Sequence, residues 1–207
     1  MSHEGKSPEA SRLEELWGTG FGDEYVDRNH AAGDKRGPFW TGIITELSPT
    51  RVLEVGCNLG GNLRWFTKHL AANRVYGVDI NAKALATLHQ DLPGVNALFS
   101  PARALPFRDA MFDLVFTMGV LIHQPDSTLP LVMSEVVRTC SRYLLCGEYF
   151  ASKTIEIPYR GERGALFKRD YGKMYAELFP ELKLIKQDNL KADDGFDDVT
   201  YWIFEKH

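Results

Sequence analysis

The chain has 207 residues, which favours a single domain large enough to bury a core without disulfides or bound metal. Its net charge of −4 argues against nucleic-acid binding, and no apolar run is long enough for a membrane span or a signal peptide. Its three cysteines, Cys57, Cys140 and Cys146, form no CxxC pair, so we expect a reducing, cytoplasmic compartment. We also expect a monomer or a homodimer.

The predicted elements begin after a polar segment, residues 1–11, that we expect to be a flexible tail. Two short helical segments and a helix that begins at Pro38 precede a region in which apolar strands and helical patterns alternate, as in a parallel sheet covered on both faces. The predicted strands are 52–55, 74–78, 95–99, 112–116, 142–148, 182–187 and 200–205, and the later helices are 62–70, 81–92, 129–140 and 167–179. The pattern predicts a doubly wound, Rossmann-like α/β fold with a seven-stranded sheet whose last strand is antiparallel.

A glycine-bearing turn follows the first strand. Gly56-Cys57-Asn58-Leu59-Gly60-Gly61 leads into a helix, and the second strand ends in Asp79. In doubly wound domains such a turn lets a nucleoside approach the backbone, and an acid at the second strand accepts hydrogen bonds from the ribose.

Two residues discriminate between nucleoside cofactors. Asn58 carries a side chain where the GxGxxG fingerprint of nicotinamide enzymes has the glycine that admits a pyrophosphate. Glu54, just before the turn, would repel a pyrophosphate but suits a ligand with an ammonium and a sulfonium. Both favour S-adenosylmethionine, which leaves S-adenosylhomocysteine as product.

The segment 104–115, ALPFRDAMFDLV, together with the turn, resembles class I S-adenosylmethionine-dependent methyltransferases over residues 50–150. Two departures are Asn58 and Pro101, which stands where many members have an adenine-binding acid. The resemblance implies that cofactor contacts come from Glu54, Gly56, Asn58, Gly60, Asp79, Ile80, Ala102, Met118 and Gly119.

A narrower resemblance spans nearly the whole chain. The segments FGDEYVDRN, GVLIHQPD, YRGERGALFKRDY and DDVTYWIFEK are similar to methyltransferases associated with the biosynthesis of pseudaminic acid and related sugars. On this basis residues 12–207 are one methyltransferase domain, with a lid segment at 12–37 and a substrate-side insertion at 151–180.

His123 and Glu148 are the candidate catalytic residues, because each follows a strand end that faces the ligand crevice. His123 suits a general base, with positioning and a purely structural role as alternatives. Glu148 could bind a hydroxyl or an amine of the methyl acceptor. The alternative is an ion pair between Glu148 and Arg160 or Arg169.

Two segments are candidates for substrate recognition. The basic, aromatic insertion favours an anionic acceptor, unless its charges only form a solvated face. The segment before the first long helix resembles the lid of small-molecule members, unless it only packs on the flank of the domain. The residues concerned are Trp17, Tyr25, Arg28 and Asn29 in the lid, and Tyr149, Tyr159, Arg160, Lys168 and Arg169 around the insertion.

Asp193, Asp194, Asp197 and Asp198 are interpreted as a solvated turn, so no metal is expected. We therefore expect methyl transfer to an oxygen, or less readily a nitrogen, of a small polar, anionic metabolite such as a sugar acid. Alternatives are a nicotinamide-dependent oxidoreductase and a non-catalytic, donor-binding regulatory protein.

Overall fold

The computed structural model describes residues 7–29 and 34–207, without the side chains of Asn29 and Asp34. One seven-stranded sheet has the order β3-β2-β1-β4-β5-β9-β8, in which β9 is antiparallel to both of its neighbours and the other strands run parallel. This confirms the predicted fold class and the antiparallel last strand. The strands are β1 Val52–Val55, β2 Val75–Asp79, β3 Asn96–Phe99, β4 Phe112–Met118, β5 Cys140–Glu148, β6 Ile155–Glu156, β7 Phe167–Lys168, β8 Leu182–Leu190 and β9 Val199–Lys206.

The helices cover both faces of this sheet. Alternate residues along a strand point to opposite faces, so Val52 joins one apolar cluster and Leu53 joins the other. The first cluster holds Trp40 and the second holds Met133, both fully buried. The helices are α1 Pro8–Gly18, α2 Gly20–Asn29, α3 Gly37–Leu47, α4 Leu63–Phe66, α5 Ala82–Asp91, α6 Leu129–Thr139 and α7 Tyr171–Leu178.

The amino-terminal boundary differs from the prediction. Helix α1 begins at Pro8, with the Ser7 hydroxyl accepting the N–H of Ala10, and the side chain of Ala10 is buried. The predicted tail is therefore wrong for residues 8–11, because one face of this helix packs on the domain. Residues 1–6 of that tail lie outside the described residues.

The predicted helix 167–179 also begins later. Phe167 and Lys168 form β7, which pairs with β6, and α7 starts at Tyr171 after Asp170, whose side chain accepts the N–H of Lys173. The spacing of apolar residues correctly predicted a helix here. Because Asp170 is its N-cap, however, residues 167–169 lie before the helix. The insertion thus consists of a short hairpin, β6 and β7, followed by α7.

Among the described residues, no helix is long and apolar enough to cross a membrane.

Candidate active site

The turn after β1 has a backbone that brings two N–H groups to the end of β2. Gly56 has φ +78°, and a Cβ there would collide with the side chain of Val120. The N–H groups of Gly56 and Cys57 both donate to the carbonyl of Val78, at 2.8 and 3.0 Å. Asn58 has φ +44°, a conformation that asparagine tolerates better than most residues, which explains how a side chain fits at this position.

Asp79 lies directly against this turn. Its Oδ2 accepts the N–H of Asn58 at 2.7 Å, and its Oδ1 accepts the N–H of Asn81 at 2.8 Å. Burial raises the pKa of the Asp79 carboxyl, and the backbone donors oppose that rise. The turn and the acid therefore form one rigid unit, as their spacing in the sequence predicts.

Glu54 is buried beneath the turn, with 1% of its surface exposed. Its Oε1 accepts the side-chain N–H of Asn62 at 2.6 Å, but its Oε2 is buried without a hydrogen-bond partner. Burial raises the pKa of this carboxyl to about 8, while the hydrogen bond from Asn62 and the positive charge of Arg36 oppose the rise. A buried acceptor of this kind is costly unless a ligand supplies a donor.

A cavity of about 200 Å³ joins these residues. It is lined by the ends of β1, β2 and β4 and, from the predicted lid segment, by residues of α1 and α2. The predicted residues that line it are Trp17, Tyr25, Glu54, Gly56, Asn58, Asp79, Ile80, Ala102, Met118, Gly119 and His123. Gly60 is not among them, although its neighbours in the turn are.

The lid is held by polar contacts to the domain. The Nε of Arg103 donates to Glu14 of α1 at 2.6 Å, and both side chains line the cavity. The side chain of Asn81 donates to Asp23 of α2 at 2.9 Å and to the carbonyl of Trp17 at 3.2 Å. Asn81 also caps α5, so a single side chain joins the lid to the strand end that carries Asp79.

His123 lies between the lid and the insertion. Its Nδ1 is 2.6 Å from the carbonyl oxygen of Ala165, so Nδ1 must carry the proton and Nε2 the lone pair. Its ring centroid lies 4.3 Å from that of Trp17 and 5.6 Å from that of Tyr159. Burial lowers the pKa of His123 to about 4, which keeps the imidazole neutral. This placement fits the predicted site at the end of β4.

Glu148 is not placed as the sequence predicts. Its carboxyl is fully buried, and its two oxygens accept the N–H groups of Val120 and Ile122 at 3.2 Å each. It does not line the cavity, so contact with an acceptor is a wrong prediction. The alternative prediction, an ion pair between Glu148 and Arg169, is also wrong, because Arg169 donates to Asp126 instead. The physical reason is that the segment after β4 folds over the end of β5.

The basic insertion divides into a buried and an exposed part. Arg169 is 2% exposed and donates to Asp126 at 2.7 Å and to the carbonyl of Gln124 at 3.2 Å, so its predicted role in binding substrate is wrong. Arg160 is exposed near the ring of Tyr159, and Lys168 lies over the ring of Tyr149 at 5.5 Å. Neither Arg160 nor Lys168 lines the cavity.

Arg28 and Asn29 do not extend the predicted lid site. Arg28 is exposed and pairs with Glu24 on the outer side of α2 at 3.3 Å, so it does not line the cavity. The side chain of Asn29 lies outside the described residues.

Arg36 and Asn62 are cavity residues that sequence reasoning missed. Arg36 donates from Nη1 to the Oδ1 of Asn62 at 3.1 Å and from Nε to the carbonyl of Gly195 at 2.9 Å. Asn62 also accepts from Trp40 and donates to Glu54, so it orients both charged groups. Its place directly after the glycine turn was a usable signal, whereas nothing near Arg36 in the sequence indicates that it reaches this turn.

Residues 52–142 match the family model described as a methyltransferase domain. A probable phthiotriol/phenolphthiotriol dimycocerosates methyltransferase 2 from Mycobacterium ulcerans is 33% identical over 113 residues, which are 54% of this chain and 42% of that protein. The 2-methyl-6-phytyl-1,4-hydroquinone methyltransferase from Synechocystis is 34% identical over 93 residues, which are 44% of this chain and 29% of that protein. Residues 52–142 are thus similar to methyltransferase domains.

Solved structures share the fold of this chain. The 1,6-didemethyltoxoflavin-N1-methyltransferase of Burkholderia thailandensis, with bound 1,6-didemethyltoxoflavin and S-adenosylhomocysteine, has a TM-score of 0.71 and 13% identity, covering 100% of this chain and 93% of that one. Magnesium protoporphyrin IX methyltransferase from Synechocystis PCC 6803 with bound S-adenosylhomocysteine has a TM-score of 0.71 and 15% identity, covering 95% and 99%. The chain spans less than half the length of the curated relatives above.

Proposed function

We propose that this protein transfers a methyl group from S-adenosylmethionine to an oxygen, or less readily a nitrogen, of a small polar, anionic metabolite. One observation supports the identity of the methyl donor. The Oε2 of Glu54 is a buried carboxyl oxygen without a hydrogen-bond partner at the wall of the cavity. A cationic ligand would stabilise the ionised carboxylate and return its pKa toward the ordinary range. A pyrophosphate would do the opposite, which counts against the nicotinamide alternative.

Arg36 gives the same end of the cavity a positive charge. Asn62 bonds both Arg36 and Glu54, so a guanidinium and a carboxyl that a cationic ligand would ionise lie on either side of one amide. An amino-acid group, with an ammonium and a carboxylate on one carbon, matches that pair of charges. We therefore place the methionine part of the donor beside Glu54 and Arg36, close to Met118 and Gly119.

The nucleoside part fits the other end. Each oxygen of Asp79 retains a lone pair beyond its backbone hydrogen bond, so both can accept from ribose hydroxyls. Ile80 and Ala102 line the cavity beyond Asp79 and offer apolar packing for a base. The Pro101 that replaces a polar residue also lies there, which is consistent with a base held by packing and backbone groups.

The bound donor supplies an activated methyl group on a sulfonium. The protein then has to orient an acceptor in line with that methyl and exclude water, and orientation alone is worth up to roughly 7–11 kcal/mol in model reactions. Here α1 and α2 cover one side of the cavity, and Trp17 lies against His123. The Nε2 lone pair of His123 can accept a hydrogen bond from an acceptor hydroxyl and so orient it, whereas a pKa lowered to about 4 makes the imidazole a weak general base.

The anionic nature of the acceptor rests on fewer residues than the sequence suggested. Of the three basic residues singled out in the insertion, Arg160 is exposed and Lys168 is half-buried, whereas Arg169 is buried. Relatives named for lipid, hydroquinone and porphyrin substrates have no shared acceptor class. The pseudaminic acid resemblance, which extends through the insertion, is what favours a sugar acid among anionic metabolites.

Two measurements test this function. Isothermal calorimetry should detect S-adenosylhomocysteine binding to the full chain and no binding of nicotinamide dinucleotides. The protein should then convert one component of a sugar-acid or metabolite pool, offered with S-adenosylmethionine, to a product heavier by one CH2 group in a mass spectrum. Donor binding with no methylated product from any pool would support the regulatory alternative instead.

A further inference from the structure

The carboxyl of Glu148 is buried at the end of β5 with no role in contacting ligand. Its side chain has no exposed surface, and it accepts two backbone N–H groups from the segment that follows β4. That segment contains Met118 and Gly119 at the cavity wall and ends in a short 3-10 helix, Leu121–His123. Glu148 therefore holds the middle of a segment that begins with Met118 and Gly119 at the cavity wall and ends with His123.

The contact continues into the cofactor turn. Val120, whose N–H is bound by Glu148, has its side chain packed against Gly56, where even a Cβ would not fit. Three residues further on, the side chain of His123 is fixed by the carbonyl of Ala165. A shift of the Val120–Ile122 backbone would therefore move both the surface under the glycine turn and the imidazole.

We propose that Glu148 is a positioning residue, whose ionised carboxylate holds the segment 118–123 in the conformation that binds the methyl donor and presents His123. The inference rests on the proposed function, because it takes this cavity as the donor site. A carboxylate accepts two N–H groups more strongly than a neutral carboxyl or amide, since hydrogen bonds to charged groups are the stronger kind.

The surroundings of Glu148 make its protonation measurable. Burial raises the pKa of Glu148 to about 7, while the backbone N–H groups oppose the rise. Four titratable groups interact electrostatically with Glu148, namely Cys146, Tyr149, Tyr171 and Tyr175. Burial raises the pKa of each of them. They stay neutral near pH 7. Donor affinity should then fall as pH decreases through about 7 and Glu148 takes up a proton.

The test is calorimetric binding of S-adenosylhomocysteine between about pH 6 and about pH 8. Glu54 titrates near the same range and lines the cavity, so the parent protein is compared with Glu148→Gln, because Glu54 contributes alike to both profiles. Across this interval the affinity of the parent protein should rise about tenfold more than that of Glu148→Gln, the equivalent of one stronger pair of hydrogen bonds. Glu148→Gln should therefore bind like the parent protein at the low-pH end and more weakly at the high-pH end.

Glu205→Gln is the matched control. Glu205 pairs with Tyr143 at the far end of the same two strands, where Glu148 pairs with Thr200. It makes the same chemical change away from the cavity and should leave the pH profile intact. Glu148→Asp, which keeps the charge but withdraws it by one CH2 group, should also bind weakly and supplies the comparison if the Gln variant does not fold.

The outcomes separate the two proposals. Failure of the unsubstituted protein to bind S-adenosylhomocysteine overturns the proposed function and this inference with it. Donor binding with the same pH profile whether Glu148 is present or replaced overturns only the positioning role.

Discussion

Glu54 and Asp79 are both buried carboxyls at strand ends, but they differ in what satisfies them. Asp79 accepts backbone N–H groups on both oxygens, which favours its charged form. Glu54 has one amide donor and one unpaired oxygen. Asp79 is therefore set in place before any ligand arrives, whereas Glu54 gains a partner only from a ligand. This difference gives each residue its own test.

Asp79→Ala should weaken S-adenosylhomocysteine binding by about 1–3 kcal/mol, because ribose hydroxyls and the N–H groups of Asn58 and Asn81 lose their acceptor. Calorimetry measures the change. Asp188→Ala, on the exposed strand β8, is the control and should bind like the parent protein. Equal affinity in the two variants would mean that the ribose does not lie at Asp79.

The imidazole of His123 should stay neutral, with its proton on Nδ1, at pH values well below 6.5, the ordinary pKa of a histidine. Its pKa is lowered to about 4, and the Ala165 carbonyl selects the tautomer. Nitrogen-15 NMR of the imidazoles should show a signal of this tautomer that does not titrate near pH 6.5, and this signal should be missing in His123→Gln. Protonation near that pH would contradict the burial of the imidazole, and a proton on Nε2 would contradict its hydrogen bond to Ala165.

At the scale of elements, the lid is tied to the domain at separated points. Glu14 of α1 reaches Arg103 in the segment after β3, and Asp23 of α2 reaches Asn81 at the start of α5. Arg12 of α1 also donates to the carbonyl of Arg163 in the insertion at 2.8 Å. The lid therefore contacts both the donor side and the acceptor side of the cavity, so its opening exposes both.

Arg103→Ala should speed release of S-adenosylhomocysteine about two- to fivefold, because a half-buried ion pair contributes up to ~1 kcal/mol to the closed lid. Stopped-flow tryptophan fluorescence can follow this release, since Trp17 lies in the lid. Lys186→Ala removes an ion pair of similar length, 2.7 Å to Glu46, away from the lid and should leave the rate unchanged. An unchanged rate in Arg103→Ala would show that the pair does not hold the closed state.

At the scale of the whole molecule, buried carboxyls make stability depend on pH. The folded protein holds a proton on Glu54 up to a pKa of about 8, whereas an exposed glutamate releases it near 4.5. The stability that this group contributes is present below pH 4.5 and is lost as pH rises through about 8. His123 acts in the opposite sense: its lowered pKa costs stability as pH falls below 6.5.

Glu54→Gln should therefore reduce the fall in Tm between about pH 6.5 and about pH 8, a range in which His123 is neutral. One proton held over that interval corresponds to about 2 kcal/mol in the free energy of unfolding. Scanning calorimetry without ligand measures the two curves, and Glu205→Gln again serves as control. Parallel curves for parent and Glu54→Gln would show that Glu54 is ionised in the free protein.

Local patterns predicted most of the fold because the strands of a buried parallel sheet are apolar and the helices between them are amphipathic. The predicted strands at 52–55 and 112–116 agree closely with β1 and β4, whose residues face the core. The errors lie where local signals compete. Residues 167–168 fit a helix by spacing, but pairing with β6 and the Asp170 cap decide otherwise. Pro8 opens a helix inside a segment whose polar composition indicates a tail.

The sequence by itself determined the nucleoside turn, since Glu54, Gly56, Asn58 and Asp79 lie within one strand–turn–helix–strand unit whose geometry depends on local spacing. The tertiary structure decided the rest of the site. It buried Glu148 beneath the segment after β4, directed Arg169 to Asp126, and brought Arg36 to Asn62. The physical reason is that a side chain's partner across the fold depends on packing between distant elements, which no local pattern of residues records.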